Sequence, residues 1–600
     1  MNILNYFRNY WYIFEIACKG QNYKIIGIIL ITLAESLIPV SQVYLLKKLT
    51  DSIAEVLNQG NQVYDSLIYI VGQLLLFILG QIFNNKKTLL RSRLTQYANY
   101  YVDKKIADKL VLLPLIFFET QENHNLIQRI NSGIGNRIVI CFISIMDIVK
   151  NIIILCGYTY LLFQLHWLLA FLLIILLAPS LHTIAITSRK QYSQEHSQLQ
   201  ILRRSQYLFS LFTNKTVHKE FKLFGHSKYI LKLWEKMMWK TSDEQYGLEK
   251  YRMKKEFNIV ILHQVVNALF ILGIILIGRN NNITIGDFVA YSQLLSMSTA
   301  TIKMLSGGIG TLINQGLYIV DMNKFITIPE KTTNKMSVLE DVDRTHIISV
   351  ENISFKYPNS DSFILKNISF SISQGETVAI VGENGSGKST LIKCLLGLYS
   401  AQEGRILIDG ADIEDIPQKE LYRKMTALFQ DFVKYELKIE ENITLSETEN
   451  INQLQFNKAI NEAEVIQFLE MLSEKEKTNL GYTLDNGREL SGGQWQRIAL
   501  GRALYKEAEI IFLDEPTASL DPISEVKLIN RFIDICKGKT AIIISHRLAS
   551  CLSADKIIVL DEGRIIEVGN HEELLLLRGQ YYKMFQSQAN SYQYQVGCSS

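Results

Sequence analysis

The chain has 600 residues, 48% hydrophobic and 20% charged, with a mean hydropathy of +0.10. That is too long for one ordinary domain, and the mixture fits neither a wholly soluble nor a wholly membrane-embedded chain. Sixty-two basic against 59 acidic residues leave a formal charge of +3, which gives no argument for a nucleic-acid partner.

The first twenty residues carry Trp11 and five other aromatics without a clean apolar core ending in small residues, so they do not match a cleavable signal peptide. Tyr6–Ile16 reads as a helix lying in the membrane interface or as an ordinary amphipathic cap. Long apolar runs then recur at Tyr23–Leu45, Tyr64–Phe83, Ile138–Phe163, Trp167–Ile186, Ile259–Ile277 and Phe288–Leu312. Each is close to the ~20 residues that cross ~30 Å of hydrocarbon. Their recurrence argues for six transmembrane helices and against the buried helices of a large soluble protein.

The connecting segments set the orientation. Residues 86–137 hold nine basic residues and 188–255 hold fifteen, whereas the links between the third and fourth and between the fifth and sixth runs are short and hold only Arg279. By the positive-inside rule the two basic loops face the cytoplasm. Lys47 and Lys48 fall on the opposite side, where they would snorkel to the interface. The loops are rich in Leu, Lys, Gln and Tyr and read as helices. An up-and-down pair built from residues 86–137 would extend roughly 35–40 Å. Seven scattered cysteines (Cys18, Cys141, Cys156, Cys394, Cys536, Cys551, Cys598) form no C-x-x-C pair and point to reduced thiols.

From about residue 347 the pattern becomes short β-type runs with turns. Ile347–Tyr357, Ile364–Ile372 and Thr377–Val381 read as strands. The third leads into a full phosphate-binding loop, Gly382, Glu383, Asn384, Gly385, Ser386, Gly387, Lys388, Ser389 and Thr390, with a helix expected from Lys388. The glycines let backbone N–H groups converge on phosphates; Lys388 offers a point charge and Ser389 a hydroxyl for Mg²⁺. Further on, the apolar run Ile510–Leu513 ends in Asp514 and Glu515. These are suited to holding Mg²⁺ through water and to deprotonating an attacking water.

Leu490-Ser491-Gly492-Gly493-Gln494 lies between these two motifs, and with it the chain resembles the ATP-binding-cassette proteins. The resemblance implies that Tyr357 stacks on adenine, that Gln430 links Mg²⁺ and water to the membrane part, and that Ser519-Leu520-Asp521 crosses a dimer interface. It implies that His546 lies near the γ-phosphate. LSGGQ opens a helix, an anion-binding arrangement; in this family it faces ATP bound by the partner's phosphate loop, with Ser491 and Gly493 as donors. One such loop and one signature per chain imply a homodimer with two ATP sites. A heterodimer is the alternative.

The expected architecture is therefore an all-α six-helix transmembrane domain of the type I exporter kind (1–325), a linker (326–346), an α/β P-loop cassette (347–583) and a disordered polar tail (584–600). The resemblance places coupling helices within Ile116–Asn125 and Leu211–Phe221. Residues 428–443 and Trp495 resemble nisin-type lantibiotic exporters, which implies export of a leader-bearing modified peptide delivered by a membrane-bound modification complex. A first membrane run near residue 23 leaves no room for the leader-removing protease domain of some bacteriocin exporters. Rival readings are a multidrug or lipid exporter, and an ATP-gated channel or regulatory protein, against which Glu515 and His546 argue. Within the spans, Asp147 and Lys150 sit three apart and are expected to pair, while Glu35 has no local partner and is the candidate for meeting a cationic peptide.

Overall fold

The computed structural model describes residues 10–11, 14–15, 18–59, 64–131, 133–165, 167–168, 170–171, 177–278, 284–329, 346–447, 450–482, 486–515, 538–545 and 548–596. The chain divides into two compact units, Met1–Val111 with Asn125–Ile328, and Leu112–His124 with Pro329–Ser600.

The first unit is built from helices. They are α1 (Asn22–Gln59), α2 (Tyr64–Leu112), α3 (Gln121–Ile130), α4 (Ile134–Leu165), α5 (Leu177–Thr213), α6 (Lys215–Phe224), α7 (Ser227–Gly278) and α8 (Ile285–Ile326). Among the described residues α1, α2, α4 and α7 are long and apolar enough to cross a membrane. The expected fourth run includes residues 172–176, which lie outside the described residues. The sixth lies in α8, where Ser, Thr and Gln dilute the apolar run. Both cytoplasmic loops are helical extensions of the spans, as their composition predicts. Of the expected interfacial helix, Tyr10 and Phe14 are buried; Phe14 stacks on Phe142 of α4, with 4.9 Å between ring centres.

A network of four charges, of which Glu35 and Lys87 are buried, joins three of the spanning helices. Glu35 of α1 accepts from Lys150 of α4 at 2.9 Å and lies 3.7 Å from Lys87 of α2; Lys87 in turn donates to Asp147 at 2.7 Å. This corrects the expected Asp147–Lys150 pair: each α4 charge reaches across to another helix, and Glu35, which has no partner on its own helix, is met by lysines of two others. Lys47 pairs with Asp287 at 2.6 Å. The end of α8 is gripped from the first loop: Lys109 donates to the Ile326 and Ile328 carbonyls, and Arg129 pairs with Asp321 at 2.9 Å. Such contacts cap a helix C-terminus with positive charge.

The second unit holds two sheets. β1 (Ile348–Phe355), β2 (Leu365–Ile372), β4 (Glu403–Ile408) and β5 (Ala411–Asp412) form an antiparallel sheet in the order β2-β1-β4-β5. β3 (Thr377–Val381), β6 (Met425–Leu428), β7 (Ile510–Asp514), β8 (Thr540–Ile544), β9 (Lys556–Asp561) and β10 (Arg564–Gly569) form a second, in the order β10-β9-β3-β8-β7-β6. All its neighbours are parallel except β9 and β10. β7 and β8 are buried along their whole length, which accounts for their unbroken apolar sequences. The helices of this unit include α9 (Lys388–Leu395), α10 (Gln418–Lys424), α11 (Ile439–Ile443), α12 (Gln453–Glu462), α13 (Gly492–Tyr505), α14 (His571–Leu577) and α15 (Gln580–Val596).

One expectation about a segment changes. The tail from 584 is helical through Val596, because α15 seats the buried Tyr581, with Met584 and Phe585, on the cluster around Leu548 and Leu574. The Glu567 carboxylate accepts from the Tyr581 N–H at 3.0 Å at its start. Of the expected linker, residues 330–345 lie outside the described residues.

Candidate functional site: a nucleotide cleft on the cassette

The phosphate loop connects β3 to α9 at the carboxyl ends of the parallel strands, where ligands of open α/β sheets bind. Gly385 and Gly387 adopt left-handed φ of 83° and 103°. A Cβ on Gly387 would lie 2.9 Å from Leu365 and 3.2 Å from the Ile364 carbonyl, so the loop needs glycine there both for its turn and for its packing. Lys388 folds back and donates to the carbonyls of Gly382 and Glu383 at 2.9 and 2.8 Å. Burial pushes its ammonium below the usual lysine range, against the opposing pull of Glu515 and Asp514.

A cleft of about 610 Å³ opens over this loop, lined by Asn384, Gly385, Lys388, Ser389, Thr390, Gln430 and Glu515 among others. The volume matches the ~300–1,000 Å³ of small-molecule sites. Glu515 sits just past β7 with φ of 48°, a left-handed backbone unusual for a side chain with a Cβ, and its N–H is held by the Ile544 carbonyl at 3.0 Å. Its carboxylate accepts from Gln430 Nε2 at 2.7 Å. Tyr357 lies beside the loop, its hydroxyl 3.3 Å from that of Thr390 and its ring edge-on to Phe355 and Tyr399.

The carboxyl group of Asp514 is buried, and its Oδ1 has no hydrogen-bond partner. Burial and then the neighbouring Glu515 push it up to about 6, against a Ser389 hydrogen bond that favours the charged form. A buried carboxylate with an open oxygen beside a hydroxyl and a second acid fits a hard divalent cation such as Mg²⁺.

Ser491 caps α13. Its hydroxyl accepts from the Gln494 N–H at 3.3 Å, while Gln494 returns a side-chain oxygen to the Ser491 N–H at 2.9 Å, a reciprocal capping box. Ser491 and Gly492 are exposed and Gly493 is half-buried. Among the described residues, none of Leu490–Gln494 lines the nucleotide cleft of the same chain. Ser519–Asp521 and His546 lie outside the described residues.

Three contacts escaped the sequence reading. The first expected coupling segment, Ile116–Asn125, opens within a 3-10 turn, Leu115–Glu119. Leu115 and Ile116 pack on the core under β1 and β2, and the Tyr399 hydroxyl donates to the Glu119 carboxylate at 2.5 Å. Of the second, Leu211–Thr213 ends α5 and α6 begins after its cap Asn214. Gln580 donates to Glu383 at 3.2 Å, and Gln588 accepts from the Leu548 N–H at 2.9 Å, two residues beyond His546. No local motif announces these pairs, since their partners lie far apart in sequence.

The ABC transporter family model matches residues 365–518. The subtilin transport ATP-binding protein SpaT of Bacillus subtilis is 33% identical over 497 residues, 82% of this chain and 80% of that protein. The nisin transport ATP-binding protein NisT of Lactococcus lactis is 30% identical over 574 residues, 93% of this chain and 92% of that protein. An ATP-dependent lipid A-core flippase of Pseudomonas aeruginosa is 27% identical over 480 residues, 80% and 78% of the two chains. Among solved structures, a bacterial Atm1-family ABC exporter with ATP bound shares the fold, with a TM-score of 0.79 at 23% identity over 95% of this chain and 99% of that one. The spanning helices, the cleft and these full-length likenesses have one reading: the chain belongs to the ABC transporters, as a membrane protein of the exporter fold that couples ATP hydrolysis in its cytoplasmic cassette to transport.

Proposed function

We propose that two copies of this chain form a homodimer that exports a modified, leader-bearing peptide of the lantibiotic type from the cytoplasm by alternating access. The observation that carries the peptide reading is the similarity to the nisin transport protein over 93% of this chain, membrane half included. A membrane-bound modification complex is the partner that would hand over such a peptide.

The exposed signature is the observation behind the dimer. Ser491 caps a helix whose first residues do not line the nucleotide cleft of their own chain, and its N–H groups serve an anion presented by a second copy. In each composite site, Tyr357 stacks on the adenine. The backbone of Gly382–Thr390 and the Lys388 ammonium bind the phosphates. Ser491, Gly492, Gly493 and Gln494 close over them from the partner, with Asp521 at the interface. Ser389, Gln430 and Asp514 are the residues that would hold Mg²⁺. When bound, the ion neutralises the triphosphate and polarises the γ-phosphoryl group. Glu515, oriented by Gln430, takes a proton from the attacking water as the bond from the γ-phosphorus to the ADP oxygen breaks. His546 donates to the γ-phosphate.

The test is transport by the full chain in inside-out proteoliposomes. Leader-bearing nisin precursor is expected to stimulate ATPase activity and to accumulate in the lumen with ATP, and the Glu515→Gln protein to do neither. Stimulation by lipid A or small amphiphilic cations, with no response to the precursor, overturns the peptide reading.

A further inference from the structure

The α5 helix carries a polar seam where it packs beside α7. Thr187, Gln191, Gln194 and Gln198 are spaced four, three and four residues apart, which puts them on one helix face. That face is not turned to open water: Thr187 and Gln198 are buried, and Gln191 and Gln194 are half-buried. Two cavities adjoin along it and share Thr187. One, of about 220 Å³, lies between the glutamines of α5 and Gln245 of α7; the other, of about 310 Å³, lies between α5, α7 and α8 and is lined by Ser306.

Hydrogen bonding along the seam is uneven. At one end Gln198 is satisfied, donating to Glu244 at 2.7 Å. Farther along, the Gln194 Nε2 and the Ser306 hydroxyl are buried with no hydrogen-bond partner, and Ser306 is only 1% exposed. Gln191 accepts from Asn314 at 3.3 Å, while the Asn314 Oδ1 has no partner. Buried polar groups are normally paired, and orphans that line a cavity call for something that enters it.

The chemistry selects the ligand. Charges around the cavities come in both signs, Glu249 and Glu256 against Arg252 and Lys303. That leaves no cationic surplus to hold a phosphorylated headgroup. Carboxamides and hydroxyls instead supply donors and acceptors side by side, which is what an extended polypeptide main chain requires. The geometry points to the α5–α7 seam as a peptide-binding track, in which Gln191, Gln194 and Ser306 hydrogen-bond the backbone of the exported chain. This assignment rests on the peptide reading above.

The test compares full-length wild type with Gln194→Leu and Ser306→Ala in nanodiscs. Leader-bearing nisin precursor is the probe, and each rate is read against that variant's own rate without peptide. The concentration giving half-maximal stimulation is expected to rise about 3–10-fold per hydrogen bond lost. Thermal stability is expected to hold, because an orphaned amide or hydroxyl leaves no partner behind. Ser306→Ala, one oxygen smaller, carries the test if Gln194→Leu does not fold. A precursor-responsive wild type with unchanged variants overturns the track alone. A wild type that ignores the precursor overturns peptide export, and the track with it.

Discussion

Gln430 donates its side-chain amide to the carboxylate of Glu515 over 2.7 Å. The two residues are 85 positions apart, yet they face each other across the cleft because β6 and β7 are parallel neighbours that end on the same side of the sheet. The group proposed to deprotonate water is thus already oriented. Glu515→Gln is expected to lower phosphate release by at least about 100-fold, in the range of lost general-base catalysis, while nucleotide still binds. Gln430→Ala is expected to cost less, since the carboxylate remains. Equal rates for wild type and Glu515→Gln would remove Glu515 from the chemistry.

Asp514 predicts a pH dependence. An ordinary carboxyl of this kind titrates near 3.8, whereas burial and Glu515 raise this one to about 6. It is therefore fully charged only above that pH. The Mg²⁺-dependent part of nucleotide affinity is expected to climb as pH rises through 6 and to level off above 7. Each unit below 6 should cost about tenfold. Without nucleotide, the folded protein keeps a proton that the unfolded chain has released, so this group's contribution to stability falls between pH 4 and 6. Calorimetric titration with MgADP from pH 5 to 8 measures the first effect, and Asp514→Asn should flatten it.

The shared acceptor Glu35 should be costly to remove. It is 6% exposed and serves both Lys87 and Lys150, so Glu35→Ala takes the acceptor from the half-buried Lys150, while the buried Lys87 keeps Asp147. A loss of about 1–3 kcal/mol is expected, the cost of unpairing a partly buried charged group. A lowered unfolding temperature is expected, and Glu35→Ala with Lys150→Met should recover part of it. A Glu35→Ala protein as heat-resistant as wild type would contradict this.

Composite sites predict complementation. A Lys388→Ala chain and a Ser491→Arg chain should each be inactive alone. A mixed pair restores one intact site, with the wild-type lysine from one chain and the wild-type serine from the other. Co-reconstitution is expected to return ATP turnover, and its absence at every mixing ratio would argue for sites completed within a single chain.

The Tyr399–Glu119 hydrogen bond is placed to carry motion between the cassette core and the first cytoplasmic loop. Glu119→Ala is expected to reduce peptide transport several-fold more than it reduces ATP hydrolysis. Parallel losses of both would assign the pair a purely structural role.

The nucleotide cleft was legible because its parts are contiguous strings, Gly382–Thr390 and Ile510–Glu515, each tied to one local turn. The charge network was not. Asp147 and Lys150 look like a helical i,i+3 pair, but their partners lie 60 and 115 positions away, and packing of α1 and α2 against α4 decides the outcome. The tail misled for a related reason. Its glutamines, serines and tyrosines have the composition of a disordered segment, yet Tyr581, buried at 0% exposure, anchors a helix that composition alone does not reveal.

The left-handed backbone at Glu515 has a consequence for anyone engineering this protein. Glycine is the residue best suited to that conformation, so a screen for heat resistance alone would reward Glu515→Gly. The improved survivors would be molecules that had given up turnover, and any thermostability campaign here needs an activity readout beside it from the first round.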